Sequence, residues 1–161
     1  MDLTENVALA LHDRPTGPGE RGTWAGWMPW PALRDTTRAL MARHRVRASG
    51  PDDPARSLSG GNQQKLVVGR ELAVADDLLV AENPTRGLDV GATGFVRDEL
   101  RRSVEPPEGP APGVVLISSD LDEVLALSDR MFVMARGRLI TVPAGQRSRE
   151  AVGALMLGAA P

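Results

Sequence analysis

The sequence predicts an α/β fold: a parallel sheet flanked by helices, with a helical subdomain on the N-terminal side. Three observations carry that expectation. Two short runs, Leu78-Leu79-Val80-Ala81 and Val114-Val115-Leu116-Ile117, are apolar at every position, as strands covered on both faces of a parallel sheet are. Segments of helical period separate and follow these runs. The first third of the chain shows helical periodicity and no strand text. The expected division is therefore a partial helical subdomain over 1–57, with flexible loops, and an α/β part over 58–161.

The elements follow in order. Leu3 to Leu11 is a short helix candidate with Thr4 as a possible N-cap. Leu33, Thr37, Leu40, Met41 and His44 recur at helical spacing and predict a helix over Ala32 to Arg47. A helix from Gly61 to about Ala75 precedes the first apolar run. Ala92, Val96, Leu100 and Val104 return every four residues, with Asp98 and Arg102 as an i,i+4 pair on the outer face. After the second run, Leu121, Val124 and Leu125 mark another helix. Met131-Phe132-Val133-Met134 and Leu139-Ile140-Thr141-Val142 flank Ala135-Arg136-Gly137-Arg138, the text of a hairpin. A last helix is expected from Ser148 to Leu157. Arg14 to Gly22 and Pro106 to Gly113 are rich in glycine and proline and read as flexible, with a milder break at Ser49 to Pro54.

Composition narrows the chemistry. The 161 residues carry 19 basic and 21 acidic side chains, a net charge of −2 that offers no field for gathering nucleic acid. There is no cysteine, so disulfides, thiolate nucleophiles and cysteine metal sites are excluded. Lysine occurs once, at Lys65, without the preceding glycine or following hydroxyl of a phosphate-cradling loop. The expectation is a chain with no P-loop of its own. No run approaches the ~20 apolar residues of a membrane span, and the first residues lack the pattern of a secretion signal. The expected location is cytoplasmic.

Four local texts carry chemistry. In Leu58-Ser59-Gly60-Gly61-Asn62-Gln63-Gln64-Lys65, a serine and two glycines at a helix start leave backbone N–H groups open at the positive end of the helix dipole. That suits a phosphate arriving from outside, although the same text also describes an ordinary serine N-cap. In Leu78 to Thr85, Glu82 at the end of a strand can hold magnesium through water, or can simply be a solvated strand end. Gly87-Leu88-Asp89-Val90 is a turn in which Asp89 caps the next helix. Ile117-Ser118-Ser119-Asp120-Leu121-Asp122-Glu123 joins a strand end to an acidic first turn.

In this order and spacing the four resemble the second half of an ATP-binding cassette, the nucleotide-binding domain of ABC transporters. Leu58 to Lys65 looks like the signature motif, Leu78 to Thr85 the Walker B strand, Gly87 to Val90 the D-loop and Ser118 to Asp120 the switch region. The wording Glu82-Asn83-Pro84-Thr85-Arg86-Gly87-Leu88-Asp89-Val90-Gly91 and the closing Ala154-Leu155-Met156-Leu157-Gly158 are similar to the C-terminal cassette of importers for simple sugars or nucleosides. The strong resemblance covers about residues 55 to 142. It implies a partial P-loop NTPase fold without the Walker A strand, loop and helix, that is, the latter part of a second cassette.

The resemblance also implies roles. ATP lies between the P-loop of one cassette and the signature of another, so Ser59, Gly60, Gly61, Asn62 and Gln63, with Asp89, would complete a nucleotide site that a partner owns. ATP and Mg2+ would be the cofactors of the assembled complex. The partners would be a P-loop-bearing cassette, membrane permease subunits and, indirectly, a solute-binding protein, which places the chain peripherally on the inner face of the plasma membrane.

This chain's own half-site departs from the pattern. Where the family has Asp then Glu, it has Glu82 and Asn83. Glu82 keeps the charge for metal with one more methylene. Asn83 is an amide that orients water but accepts no proton. Ser119 replaces the switch histidine and has no ring nitrogen to reach a γ-phosphate. The reading is an importer ATP-binding subunit whose own half-site is degenerate and non-hydrolytic. The alternatives are an interaction or regulatory remnant of a cassette, and a soluble cassette ATPase unconnected with transport.

The remaining candidates are structural. His12 and His44 read as solvated or half-buried helix residues. Trp24, Trp27 and Trp30 form either a small cluster pinning a loop or a contact surface for a membrane-spanning partner. The arginines at 34, 38, 43, 45 and 47 read as a solvated helix face, with docking on a membrane subunit or an anionic lipid as the alternative.

Overall fold

In the computed structural model of the chain, residues 1–11, 28–105 and 111–158 are described. His12, Trp24, Trp27, the Arg14–Gly22 segment and most of the proline-rich break at 106–110 lie outside them. The chain divides into two compact units. One comprises Met1–Leu79 with Thr85–Val114, and the other Val80–Pro84 with Val115–Pro161.

The first unit is built on helices α1 (Leu3–Leu11), α2 (Trp30–Arg43), α3 (Gly60–Val74) and α4 (Val90–Val104). Helix α1 begins one step earlier than its expected cap. Asp2 Oδ1 accepts from the Glu5 N–H at 2.7 Å while Glu5 Oε2 accepts from the Asp2 N–H at 2.8 Å. These reciprocal bonds satisfy two orphan donors and take the capping role from Thr4. Thr4 is buried inside the helix and donates its hydroxyl to Pro51 O at 3.0 Å.

Helix α2 ends at Arg43 rather than Arg47. Arg45 turns left-handed (φ 53°), and the Val46 N–H reaches back to Met41 O at 2.9 Å. Such a closure ends a helix and drops the following apolar residue onto it. Val46 is accordingly buried with Leu3, Val7, Leu40, Met41, Leu58 and Leu66 in the core of this unit. The arginine row lies on the surface as expected, with Arg34 half-buried and paired to Asp52, and exposed Arg38 paired to Asp35, each at 2.7 Å. Trp30 starts α2 on the surface.

His44 differs most from expectation. It is 3 % exposed, and its Nδ1 lies 2.8 Å from Oε2 of the buried Glu99 on α4. Glu99 Oε1 accepts from Arg102 Nη1 at 2.8 Å, so Arg102 pairs with Glu99 and not with Asp98. Gly69 of α3 makes room for the ring: a Cβ there would stand 2.6 Å from His44 Cδ2. The ring also meets Phe95 edge-on, at 6.4 Å between centroids.

The apolar runs form strands β1 (Leu78–Glu82) and β2 (Gly113–Ile117), which pair in a two-stranded sheet. The Gly113 N–H bonds Asp77 O at 2.8 Å and the Asn83 N–H bonds Ile117 O at 2.7 Å. Residue numbers rise together along both strands, so they are parallel. The expectation of cover on both faces is not met. Val80, Val115 and Ile117, alternate residues sharing one face, are 59 %, 44 % and 51 % exposed.

The second unit adds α5 (Leu121–Leu127), the antiparallel hairpin of β3 (Met131–Ala135) and β4 (Arg138–Val142), and α6 (Arg149–Met156). The hairpin turn is of the tight two-residue kind with both central residues left-handed, Arg136 (φ 50°) and Gly137 (φ 73°). Its inner face, Met131, Val133, Ala135 and Val142, packs against Val152 and Leu155 of α6. Ser148 caps α6 by accepting from the Ala151 N–H at 3.1 Å.

Candidate functional site

In the first unit, the candidate residues gather at the N-terminal tip of α3. Ser59 holds the N-cap position with extended backbone, but its hydroxyl caps no N–H. It accepts instead from Asn62 Nδ2 at 3.0 Å, and Asn62 Oδ1 accepts from the Arg47 N–H at 2.9 Å. Gln63 is also turned away from the tip, donating through Nε2 to Leu58 O at 3.0 Å. These side chains are occupied with shaping the loop. The first-turn N–H groups of Gly60, Gly61 and Asn62 keep no acceptor among the described residues, as the first donors of any uncapped helix do.

The two glycines have different reasons. A Cβ at exposed Gly60 would meet nothing within 4 Å, so its absence leaves open space over the amide. A Cβ at Gly61 would stand 3.2 Å from Ala92 Cβ and 3.8 Å from Asp89 Oδ2. Gly61 thus lets the start of α3 lie against the start of α4. Asp89 caps α4 by accepting from the Ala92 N–H at 2.8 Å, after a turn in which Gly87 is left-handed (φ 75°). The signature text and Asp89 are brought together by these contacts. Lys65 belongs elsewhere, with its Nζ 5.0 Å from the Phe95 ring centroid.

The second unit holds the other three candidates. Asn83 sits just past β1 in a left-handed conformation (φ 44°). Its Oδ1 accepts from the Ser119 N–H at 3.1 Å and from Ser119 Oγ at 3.2 Å. Glu82 ends β1 exposed to solvent. Asp120 caps α5, accepting from the N–H groups of Asp122 and Glu123 at 3.0 and 3.3 Å.

Open amides at a helix tip fit a phosphate oxygen. Among the described residues no group of three or more His, Asp or Glu is placed to hold a metal ion. Glu82 alone offers one carboxylate, enough for magnesium only when water and phosphate oxygens supply the other ligands. Sequence reasoning missed the Asn83–Ser119 link and the His44–Glu99 pair. Asn83 in a strand-end turn was a signal for the first, because asparagine tolerates φ above zero. The second joins distant segments and leaves no local pattern.

The relatives of this chain define its class. The chain belongs to the ATP-binding cassette family and resembles the second cassette of importer ATP-binding subunits for simple sugars and nucleosides. It is 36 % identical over 159 residues to the nucleoside import ATP-binding protein NupA of Lactococcus lactis, a match covering 98 % of this chain and 30 % of that protein. It is 43 % identical over 122 residues to the guanosine import ATP-binding protein NupO of Bacillus subtilis, covering 75 % of this chain and 23 % of that one. A ribose import ATP-binding protein of Rubrobacter xylanophilus is 40 % identical over 150 residues, with 93 % and 26 % covered. The chain therefore spans less than a third of the length of these curated relatives.

The fold agrees. An ATP-binding cassette of an ABC transporter superposes with a TM-score of 0.66 at 20 % identity, covering 98 % of this chain and 60 % of that one. A bacterial ABC transporter cassette solved as a dimer matches at 0.66 and 20 % identity, over 86 % and 54 %. No family model matches the chain. Among the described residues, no helix is long and apolar enough to cross a membrane.

Proposed function

We propose that the chain serves as part of the ATP-binding subunit of an importer for a small polar solute, a simple sugar or a nucleoside. Its contribution is to present Ser59, Gly60 and Gly61 to a triphosphate anchored on the P-loop of another cassette. The observation that carries this is the α3 tip: first-turn amides without acceptors, an exposed Gly60 with open space above it, and side chains that hold the loop without closing it. The identity to nucleoside and ribose import subunits supports the solute class.

Bound ATP would supply a phosphoanhydride to the partner's site, and Mg2+ would neutralise its oxygens. On this chain's side the α3 amides orient the terminal phosphate, and Asp89 fixes the helix that backs them. The degenerate half-site rests on Asn83, which has no basic atom to take a proton from water, and on Ser119, whose hydroxyl is engaged by Asn83. Glu82 is the carboxylate through which a hydrated magnesium would be held. Permease subunits would seat the assembly at the inner face of the membrane, and a solute-binding protein would act through them.

Association tests the composite site. Sedimentation of the purified chain with a P-loop-bearing cassette is expected to show a complex with MgATP and none without nucleotide. A complex indifferent to nucleotide would favour an interaction remnant that never shares an ATP.

A further inference from the structure

Asn62, Lys65 and Gly69 fall on one face of α3, and all three meet the segment that follows α2. Gly69 makes room for the His44 ring, Lys65 Nζ stands 3.5 Å from Arg45 O, and Asn62 Oδ1 accepts from the Arg47 N–H at 2.9 Å. Arg47 directly follows Val46, which is buried in the core of this unit, so its N–H is a well-anchored donor. A backbone N–H only donates. The Asn62 atom facing it is therefore the oxygen, and Nδ2 is left to donate to Ser59 Oγ at 3.0 Å. Ser59 has the extended backbone of an N-cap residue (φ −62°, ψ 155°), yet its hydroxyl caps no N–H. Rotation about one side-chain bond separates it from the ordinary cap, in which it would accept from the N–H of Gly61 or Asn62.

We propose that Asn62 is a positioning residue: its amide, anchored on the Arg47 N–H, holds the Ser59 hydroxyl out of the cap and so keeps the first-turn amides of α3 free for a phosphate. This rests on the nucleotide reading above and specifies what keeps that tip receptive. A serine at the start of a helix ordinarily closes it by capping; here its oxygen is spent on Asn62 instead. The same bond has a second consequence. With one lone pair of Oγ engaged by Nδ2, the Ser59 hydroxyl hydrogen remains for an acceptor outside the loop, and an ionised phosphate oxygen is an acceptor. Asn62 is half-buried against the loop and acts through Ser59 without touching ligand.

Amide hydrogen exchange of the free chain tests this without any partner. In Asn62→Ala the serine is released to cap. Protection of the N–H at Gly61 or at position 62 is then expected to rise about fivefold, with the melting temperature equal to wild type or higher. Adding Ser59→Ala removes the cap, and protection is expected to fall back to the wild-type level. In the mixture with a P-loop-bearing cassette, Asn62→Ala is expected to weaken MgATP-dependent association about fivefold or more, because the open tip is then the minor state. The double variant is expected to associate no more weakly than Asn62→Ala. Unchanged protection in Asn62→Ala, or reduced protection with a lowered melting temperature, overturns the inference, and so do losses of association that multiply in the double variant. A wild-type chain that forms no complex with MgATP overturns the parent reading, while the exchange rates still decide whether Asn62 holds the tip open.

Discussion

Ser59→Arg is expected to reduce ATP turnover in the complex with a P-loop-bearing cassette by about a hundredfold or more while leaving the melting temperature of the chain within a degree or two. Ser59 is exposed at the tip, and its hydroxyl is held by the Asn62 amide. Nothing packed depends on it. An arginine side chain there fills the space over the Gly60 amide that a phosphate must enter. The loss of prepositioned donors at a transition state costs on the order of a hundred- to a thousandfold in rate. Steady-state hydrolysis by the mixed cassettes, with thermal melts as the control for folding, measures it. Turnover equal to wild type would mean that the α3 tip does not touch nucleotide.

The largest effect on stability is expected at His44. His44→Ala removes a buried ring from between α2, α3 and α4 and leaves the Glu99 carboxylate with Arg102 as its partner. Breaking one side of a buried pair, with a cavity added, costs about 3 kcal/mol. Denaturant unfolding of the purified chain measures this. Replacing both partners together, His44→Leu with Glu99→Leu, is expected to cost less than His44→Ala, because no buried charge is stranded.

Acid tests the same group. Burial pushes the His44 imidazole below its ordinary value, against the raising effect of Glu99, and Arg43 lowers it further. The folded protein therefore holds the neutral ring, and the unfolded chain binds a proton first as pH falls. The stability from the neutral ring is fully present above about pH 6.5 and is lost as pH drops from there toward the lowered folded value. His44→Leu, Glu99→Leu is expected to flatten that dependence.

What the sequence revealed was what local spacing encodes. The helices appear within a few residues of their expected spans, and the Arg136-Gly137 turn follows from a glycine that tolerates positive φ. The signature text identifies a family because its order along the chain is preserved, independent of side-chain geometry. What was not legible depends on contacts between distant segments. Helix α2 stops early because Val46 is drawn into a core with Leu3 and Leu66. Thr4 yields the cap to Asp2 because its hydroxyl finds Pro51. The runs Leu78–Ala81 and Val114–Ile117 promised cover on both faces, yet Val80, Val115 and Ile117 stand open. Apolar content specifies what a strand would bury and says nothing of whether the covering layer lies within the same 161 residues.

The central claim is that this polypeptide completes a nucleotide site owned by another. ATP hydrolysis by the purified chain, measured alone and then with a P-loop-bearing cassette, addresses it directly. Background release of phosphate alone, rising to steady turnover only in the mixture, is the expected result. Robust hydrolysis by the chain alone would contradict it.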